Sequence, residues 1–189
     1  SDTTKYLKAL GTSSNSDVRW AVLDTASNAQ SWKITEVSGG SVNPGTGSVT
    51  TLIAAANACI GKNLAQCAKY FGVSNPNCEW CAWFVRQCGI KANMNFGTSN
   101  IASQVRGVNG NVSFSATTPK VGDLALIDTH GGSSVGHVGI ITAITGNNIT
   151  TVEGNMSGSV TTSIVKNASY DASGYSSTFG RIVYIGKNS

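Results

Sequence analysis

Cys81 stands in Glu79-Trp80-Cys81-Ala82-Trp83-Phe84-Val85, and His137 follows 56 residues later in Gly136-His137-Val138-Gly139. A thiol attacks carbonyl carbon as its thiolate, and a neutral imidazole carried to it by the fold is the usual base. The choice of base is narrow, because the chain has two histidines, His130 and His137. His130 lies in Asp128-Thr129-His130-Gly131-Gly132-Ser133-Ser134, which has the composition of a loop. His137 opens an apolar run that reads as a strand, a rigid place from which to aim a ring. Composition alone leaves a second reading open, in which both residues are ordinary core positions.

The elements around them are predicted as follows. Asn77 is a candidate N-cap for a helix from about Cys78 to Cys88, with Gly89 at its C′ position. Cys81 then falls in the first turn, where roughly half a positive charge and free N–H groups favour a thiolate. The N–H of Cys81 is also placed to bind an oxyanion. Cys81, Phe84, Val85 and Cys88 share one helical face. Upstream, Ser48-Val49-Thr50-Thr51 offers caps for a helix through Leu52–Ile60 that stops at Gly61, and Asn63–Tyr70 adds further turns closed by Gly72. A short helix is expected over Thr98–Arg106. After Pro119 the pattern becomes strands, at about 121–128, 137–145, 148–156, 159–165 and 179–185. Helices followed by meandering strands indicate an α+β fold.

Four segments together carry a family resemblance: Trp80-Cys81-Ala82-Trp83-Phe84-Val85, Pro119-Lys120-Val121-Gly122-Asp123, Gly136-His137-Val138-Gly139-Ile140-Ile141 and Val152-Glu153-Gly154-Asn155. In this order, over roughly residues 48 to 187, they resemble the CHAP domain family of cysteine, histidine-dependent amidohydrolases and peptidases. The resemblance implies a papain-like fold, with N-terminal helices packed on a roughly five-stranded antiparallel sheet or half-barrel. It implies Cys81 as nucleophile, His137 as base and Glu153 as the residue orienting the imidazole, while Asn155 matches a polar position often grouped with the site. The implied substrate is bacterial peptidoglycan, cut at the N-acetylmuramoyl–L-alanine amide or within stem or cross-bridge peptides. Some members bind calcium through acidic residues just before the nucleophile. Here Glu79 is the only acid in Gly72–Trp80, so neither a metal nor another cofactor is expected.

Strand parity bears on the third member. Glu153 and Asn155 share a face on a regular strand. A three-residue Gly146-Asn147-Asn148 loop, with Thr145 facing Ile149, puts odd residues opposite odd ones. In that register Asn155 faces Gly139, diagonal to His137, and Glu153 lies two steps further, so it needs a bulge or strong twist to reach the ring.

The rest of the chain sets bounds. Charged residues are 12%, about half the ~25% of an average globular protein. Ser, Thr, Asn and Gly make up 82 of 189 residues, a polar, uncharged composition that leans towards an extracellular or wall-associated location, a phage virion being one setting. The net charge of +4 is spread thinly without interleaved aromatics, which argues against a nucleic-acid partner. No run approaches the roughly 18 apolar residues of a membrane span. The chain opens at Ser1-Asp2-Thr3-Thr4 without an initiator methionine, so processing or excision from a larger protein is expected. Residues 1–47 are expected to form a separate segment ending in a Gly-rich linker, with apolar patches at Trp20–Leu23 and Ser31–Thr35 and no assigned function; 48–189 form the CHAP-like domain. Beyond Cys81, the cysteines at 59, 67, 78 and 88 either pair in one of three ways or remain buried thiols. Oligomeric state is not legible.

Three other functions compete. Cys78-Glu79-Trp80-Cys81 is a C-x-x-C, yet helices precede it where a thioredoxin-like redox site needs a βα unit, and a single pair makes a poor zinc site. An NlpC-type D,L-endopeptidase has similar thiol chemistry, but its usual Asp-Cys-Ser-Gly-type motif is absent. A non-catalytic wall-binding or virion module of the same fold has no need to keep both Cys81 and His137.

Overall fold

The computed structural model describes residues 8–9, 18–19, 47–76 and 78–188. The chain divides into two units, Ser1–Val42 and Asn43–Ser189. In the first, β1 (Lys8–Ala9) pairs antiparallel with β2 (Val18–Arg19). The expected patches at Trp20–Leu23 and Ser31–Thr35, and the linker up to Thr46, lie outside the described residues.

Three helices open the second unit. Ser48 caps α1 (Val49–Asn57), its Oγ accepting from the Thr51 N–H at 3.1 Å, and Leu52, Ala55 and Ala56 form the buried face. Asn63 and Gln66 make a reciprocal capping box for α2 (Leu64–Phe71). Gly72 ends that helix at φ +72, a left-handed position glycine takes without strain. The third helix, α3, runs Cys81–Lys91 and starts three residues later than expected. Trp80 occupies its cap position without a side-chain bond to the helix N–H groups, and Asn77 lies outside the described residues. Gly89 is inside α3 rather than beyond it, because the helix continues over Phe96: a Cβ on Gly89 would meet that ring at 2.6 Å. The segment 98–106 is irregular apart from a single 3-10 turn, Ala102–Gln104.

The sheet is larger than the five strands expected. Short strands β3 (Asn111–Ser113) and β8 (Tyr175–Ser176) join five long ones: β4 (Leu124–Asp128), β5 (His137–Thr145), β6 (Asn148–Met156), β7 (Ile164–Asp171) and β9 (Gly180–Gly186). The order is β3-β9-β4-β5-β6-β7, all antiparallel, with β8 paired to β9. β4 starts at Leu124 rather than Val121 because Gly122, at φ +92, turns the chain, and the buried Asp123 carboxylate accepts from the Lys120 and Asn188 N–H groups and pairs with Lys187 at 2.6 Å. The strand expected at 159–165 begins instead at Ile164, after a turn in which Ser159 accepts from the N–H groups of Thr162 and Ser163.

Both sheet faces are buried. Leu124, Leu126, Val138, Ile140, Val152 and Val165 pack with the helices. The alternate residues Ile127, Ile141, Ile149, Tyr170, Ile182 and Ile185 form a second core on the opposite face. The result is the α+β, papain-like arrangement of helices against an antiparallel sheet. All five cysteines are free thiols, four of them buried.

Alanine normally stabilises a helix over glycine by about 1 kcal/mol. Gly89→Ala should do the reverse, costing about 1–3 kcal/mol through overpacking against the buried Phe96. Chemical denaturation of the variant measures the sign.

Candidate active site

Cys81 is the first residue of α3, and no side chain caps that helix end. The first-turn N–H groups therefore keep their dipole free for another acceptor. The cap residue Trp80 is fully buried, donates from Nε1 to Ser163 Oγ at 2.9 Å, and packs edge-on against Trp83 and Phe84. Gly154 lets the helix close on β6: a Cβ there would lie 2.7 Å from Phe84 Cβ and 2.9 Å from the Trp80 ring. Helix start and strand meet only because that position has no side chain.

His137 opens β5 opposite Ile127 of β4. The loop before it is drawn together by Asp128, whose carboxylate accepts from the N–H groups of His130, Gly131 and Ser133 at 2.8–2.9 Å. Those bonds, the His130 N–H foremost, hold the Asp128 carboxyl below the usual carboxylate range. The His130 side chain points elsewhere, contacting Thr129 Oγ1 at 2.8 Å on the exposed loop.

Glu153 reaches His137 through a bulge. The β5–β6 hairpin has a two-residue Gly146–Asn147 loop, with Thr145 facing Asn148, which corrects the three-residue loop expected. Alone, that loop would put Glu153 on the helix-facing side. Thr142 is an extra residue on β5, so pairing moves from Ala143↔Thr150 to Ile141↔Thr151 and the parity is restored. Continuing from Ile140↔Val152, Glu153 comes opposite Gly139, where a Cβ would sit 2.5 Å from Glu153 Cγ. The carboxylate therefore lies across an empty position and extends to the ring two residues away. His137 Nε2 and Glu153 Oε2 are 3.1 Å apart, with the ring 12% exposed and the carboxylate fully buried. The contact is close but off the hydrogen-bond axis, and among the described residues neither atom has another partner. Glu153 Oε1 is held separately, accepting from Thr151 Oγ1 at 2.5 Å and Tyr170 OH at 2.9 Å.

With Nε2 on Glu153, Nδ1 is the nitrogen left for the thiol. Burial, the largest influence, lowers the imidazole pKa; the contacts with Cys81 and Glu153 and their negative charge outweigh it and raise the value to about 10. A protonated ring between the thiol and the carboxylate is the arrangement these contacts favour.

Asn155 sits differently from expectation. It has a left-handed backbone, φ +63, at the second irregularity of β6, where pairing with β7 slips between Glu153 and Met156. Its Nδ2 donates to Glu79 Oε2, and its Oδ1 accepts from Ser163 Oγ at 2.7 Å. It thereby straps the two residues before Cys81 to β6, with its side-chain hydrogen bonds going to Glu79 and Ser163. Sequence reasoning missed Thr151 and Tyr170. Thr151 shares the face of Glu153 by strand parity and could have been found, whereas Tyr170 carries no local signal.

A cleft of about 560 Å³ is bordered by His137, Glu153, Asn155, Tyr175, Thr178 and Phe179; Cys81, 5% exposed, is not part of its lining. Among the described residues, no cluster of three or more His, Cys, Asp or Glu could hold a metal ion, and no helix is long and apolar enough to cross a membrane.

The family model of the CHAP domain matches residues 64–155, a span that encloses Cys81, His137, Glu153 and Asn155. No curated protein matches the chain. Among solved structures, the crystal structure of Ly7917 aligns at 17% identity and TM-score 0.41. The crystal structure of Ly7917 with the hydrolyzing product of MDP aligns at 19% and 0.43. Each alignment covers 75% of this chain and 63% of the other, so the chain spans less than two thirds of the length of those it matches.

A histidine whose pKa is raised on folding adds stability that is complete below its unfolded value of 6.5 and is lost as pH rises through about 10. NMR titration should find the His137 ring still protonated at about pH 8; titration near 6.5 would refute the ion pair. Gly139→Ala, by pushing Glu153 off the ring, should move that titration down.

Proposed function

We propose that this chain, whose residues 64–155 match the family model of the CHAP domain, is a peptidoglycan hydrolase cutting an amide bond by thiol chemistry. One observation supports this reading most: a cysteine opening a helix beside a histidine whose far nitrogen is 3.1 Å from a fully buried carboxylate. A cysteine kept only for packing needs no such partner.

The steps follow from the geometry. The Cys81 thiolate attacks the amide carbonyl, forming a C–S bond and an oxyanion that the Cys81 N–H at the helix start is placed to receive. The imidazolium gives its Nδ1 proton to the amide nitrogen, the C–N bond breaks, and the amine leaves a thioester on Cys81. The now neutral imidazole takes a proton from water, hydroxide adds to the thioester, and the acid departs as the thiolate returns. Glu153 keeps the ring oriented and offsets its positive charge throughout, as a positioning residue. The neutral, hydroxyl-lined cleft suits a peptide or amino-sugar chain, and the place of action is the wall, outside the cytoplasmic membrane. The bond is an amide of the wall, either the muramoyl–alanine link or one within the peptides.

Purified walls incubated with the protein should lose turbidity and gain free amines, and mass spectrometry of the fragments identifies the bond. Cys81→Ala should reduce the rate at least about a thousandfold with the melting temperature near that of the parent, His137→Ala should reduce it as much and also lower the melting temperature by leaving the buried Glu153 carboxylate without its ring, while His130→Ala stays close to the parent rate. Hydrolysis that survives Cys81→Ala removes the nucleophile and the mechanism with it.

A further inference from the structure

Glu153 is a buried carboxylate with two oxygens put to different uses. Oε2 faces His137, and Oε1 takes two hydroxyl hydrogens, from Thr151 on its own strand and Tyr170 on β7. Tyr170 is 1% exposed and Thr151 fully buried. We infer that Thr151 and Tyr170 form a hydroxyl clamp that fixes which of the Glu153 oxygens meets the imidazole, making both positioning residues for the thiol–imidazole pair. The inference rests on the hydrolase reading only for its kinetic consequence.

Without a clamp, a carboxylate inside a protein turns to find another donor, which ends the orientation of the ring. The clamp blocks that turn by occupying Oε1 from two directions. The alternatives nearby are few. From β5 the group facing Glu153 is the His137 ring, and from α3 it is the Cys81 thiol beyond that ring. From β7, Lys166 is its register partner, but the Lys166 ammonium is turned to Ser157 Oγ at 2.8 Å, and Tyr170 is the group that reaches the carboxylate. Asp128 at the end of β4 is occupied by its own loop, and Glu79 by Asn155. The clamp therefore supplies the donors on Oε1 among the described residues.

Tyr170→Phe and Thr151→Val each delete one hydroxyl at nearly constant shape. Each deletion frees the Glu153 carboxylate to turn from the ring, so the His137 titration, about 10 in the parent, should move down in either variant. A melting temperature that falls while the His137 titration stays unchanged marks a purely packing role, which would overturn the clamp. Thr151→Ser should keep the parent behaviour, and a serine as damaging as valine overturns it as well. Should Tyr170→Phe fail to fold, the Thr151 pair decides alone. In wall hydrolysis kcat should fall in each variant by more than KM changes. The two readings fail separately. A chain that cleaves no wall refutes the hydrolase while the His137 titration still judges the clamp.

Discussion

The carboxylate of Glu153 has no exposure to solvent. An unpaired charge so placed would cost on the order of several kcal/mol. Much of the surrounding structure is explained by meeting that demand. Two hydroxyls cover one oxygen, an imidazole covers the other, and a glycine stands where any side chain would push the group aside. Because the imidazole is the only cationic partner among the described residues, folding itself favours the protonated ring, which faces the thiol next to it. Electrostatics laid down by the sheet thus reaches a sulfur atom on a helix.

Bringing the sulfur there is a packing problem. The helix carrying Cys81 is held by its aromatic residues, with Trp80 in edge contact with both Trp83 and Phe84, and by the indole hydrogen bond to Ser163. Gly154 sets how near the helix lies, and Asn155, one residue on, ties down the approach to the nucleophile. Consecutive residues 153, 154 and 155 therefore serve three separate ends: orienting the ring, admitting the helix and fixing the segment before the thiol. That division accounts for why a short Glu-Gly-Asn run is so informative a segment.

Much of this was legible in the sequence. Scarcity of histidine singled out His137, alternation marked β5 and β6 at both ends, and a cysteine near a helix start suggested its chemistry before any coordinates. Other parts were not, for physical reasons. The start of α3 was misplaced because Asn77 has the side chain of a good cap, while Trp80 takes the cap position through tertiary packing that no local preference encodes. Gly89 looked like a terminator because the partner that lets it sit inside a helix, Phe96, lies beyond the helix end. The hairpin loop was misjudged by one residue, and the compensating bulge falls at Thr142, a β-branched residue as suited to a regular strand as its neighbours. Tyr170 contributes through contact across strands, which one-dimensional spacing does not reveal.

The bulge at Thr142 has an evolutionary consequence. It acts as a reading frame for the sheet, setting which side of β6 is presented to β5 beyond that point. Loss of that one residue, or gain of one in the Gly146–Asn147 turn, would transpose every side chain from Thr151 to Asn155 between the two faces, sending Glu153 toward the helices and Gly154 away from them. Length changes in this hairpin can therefore persist only in compensating pairs, so drift among relatives should leave the parity of the count between His137 and Glu153 intact even where the turn itself varies.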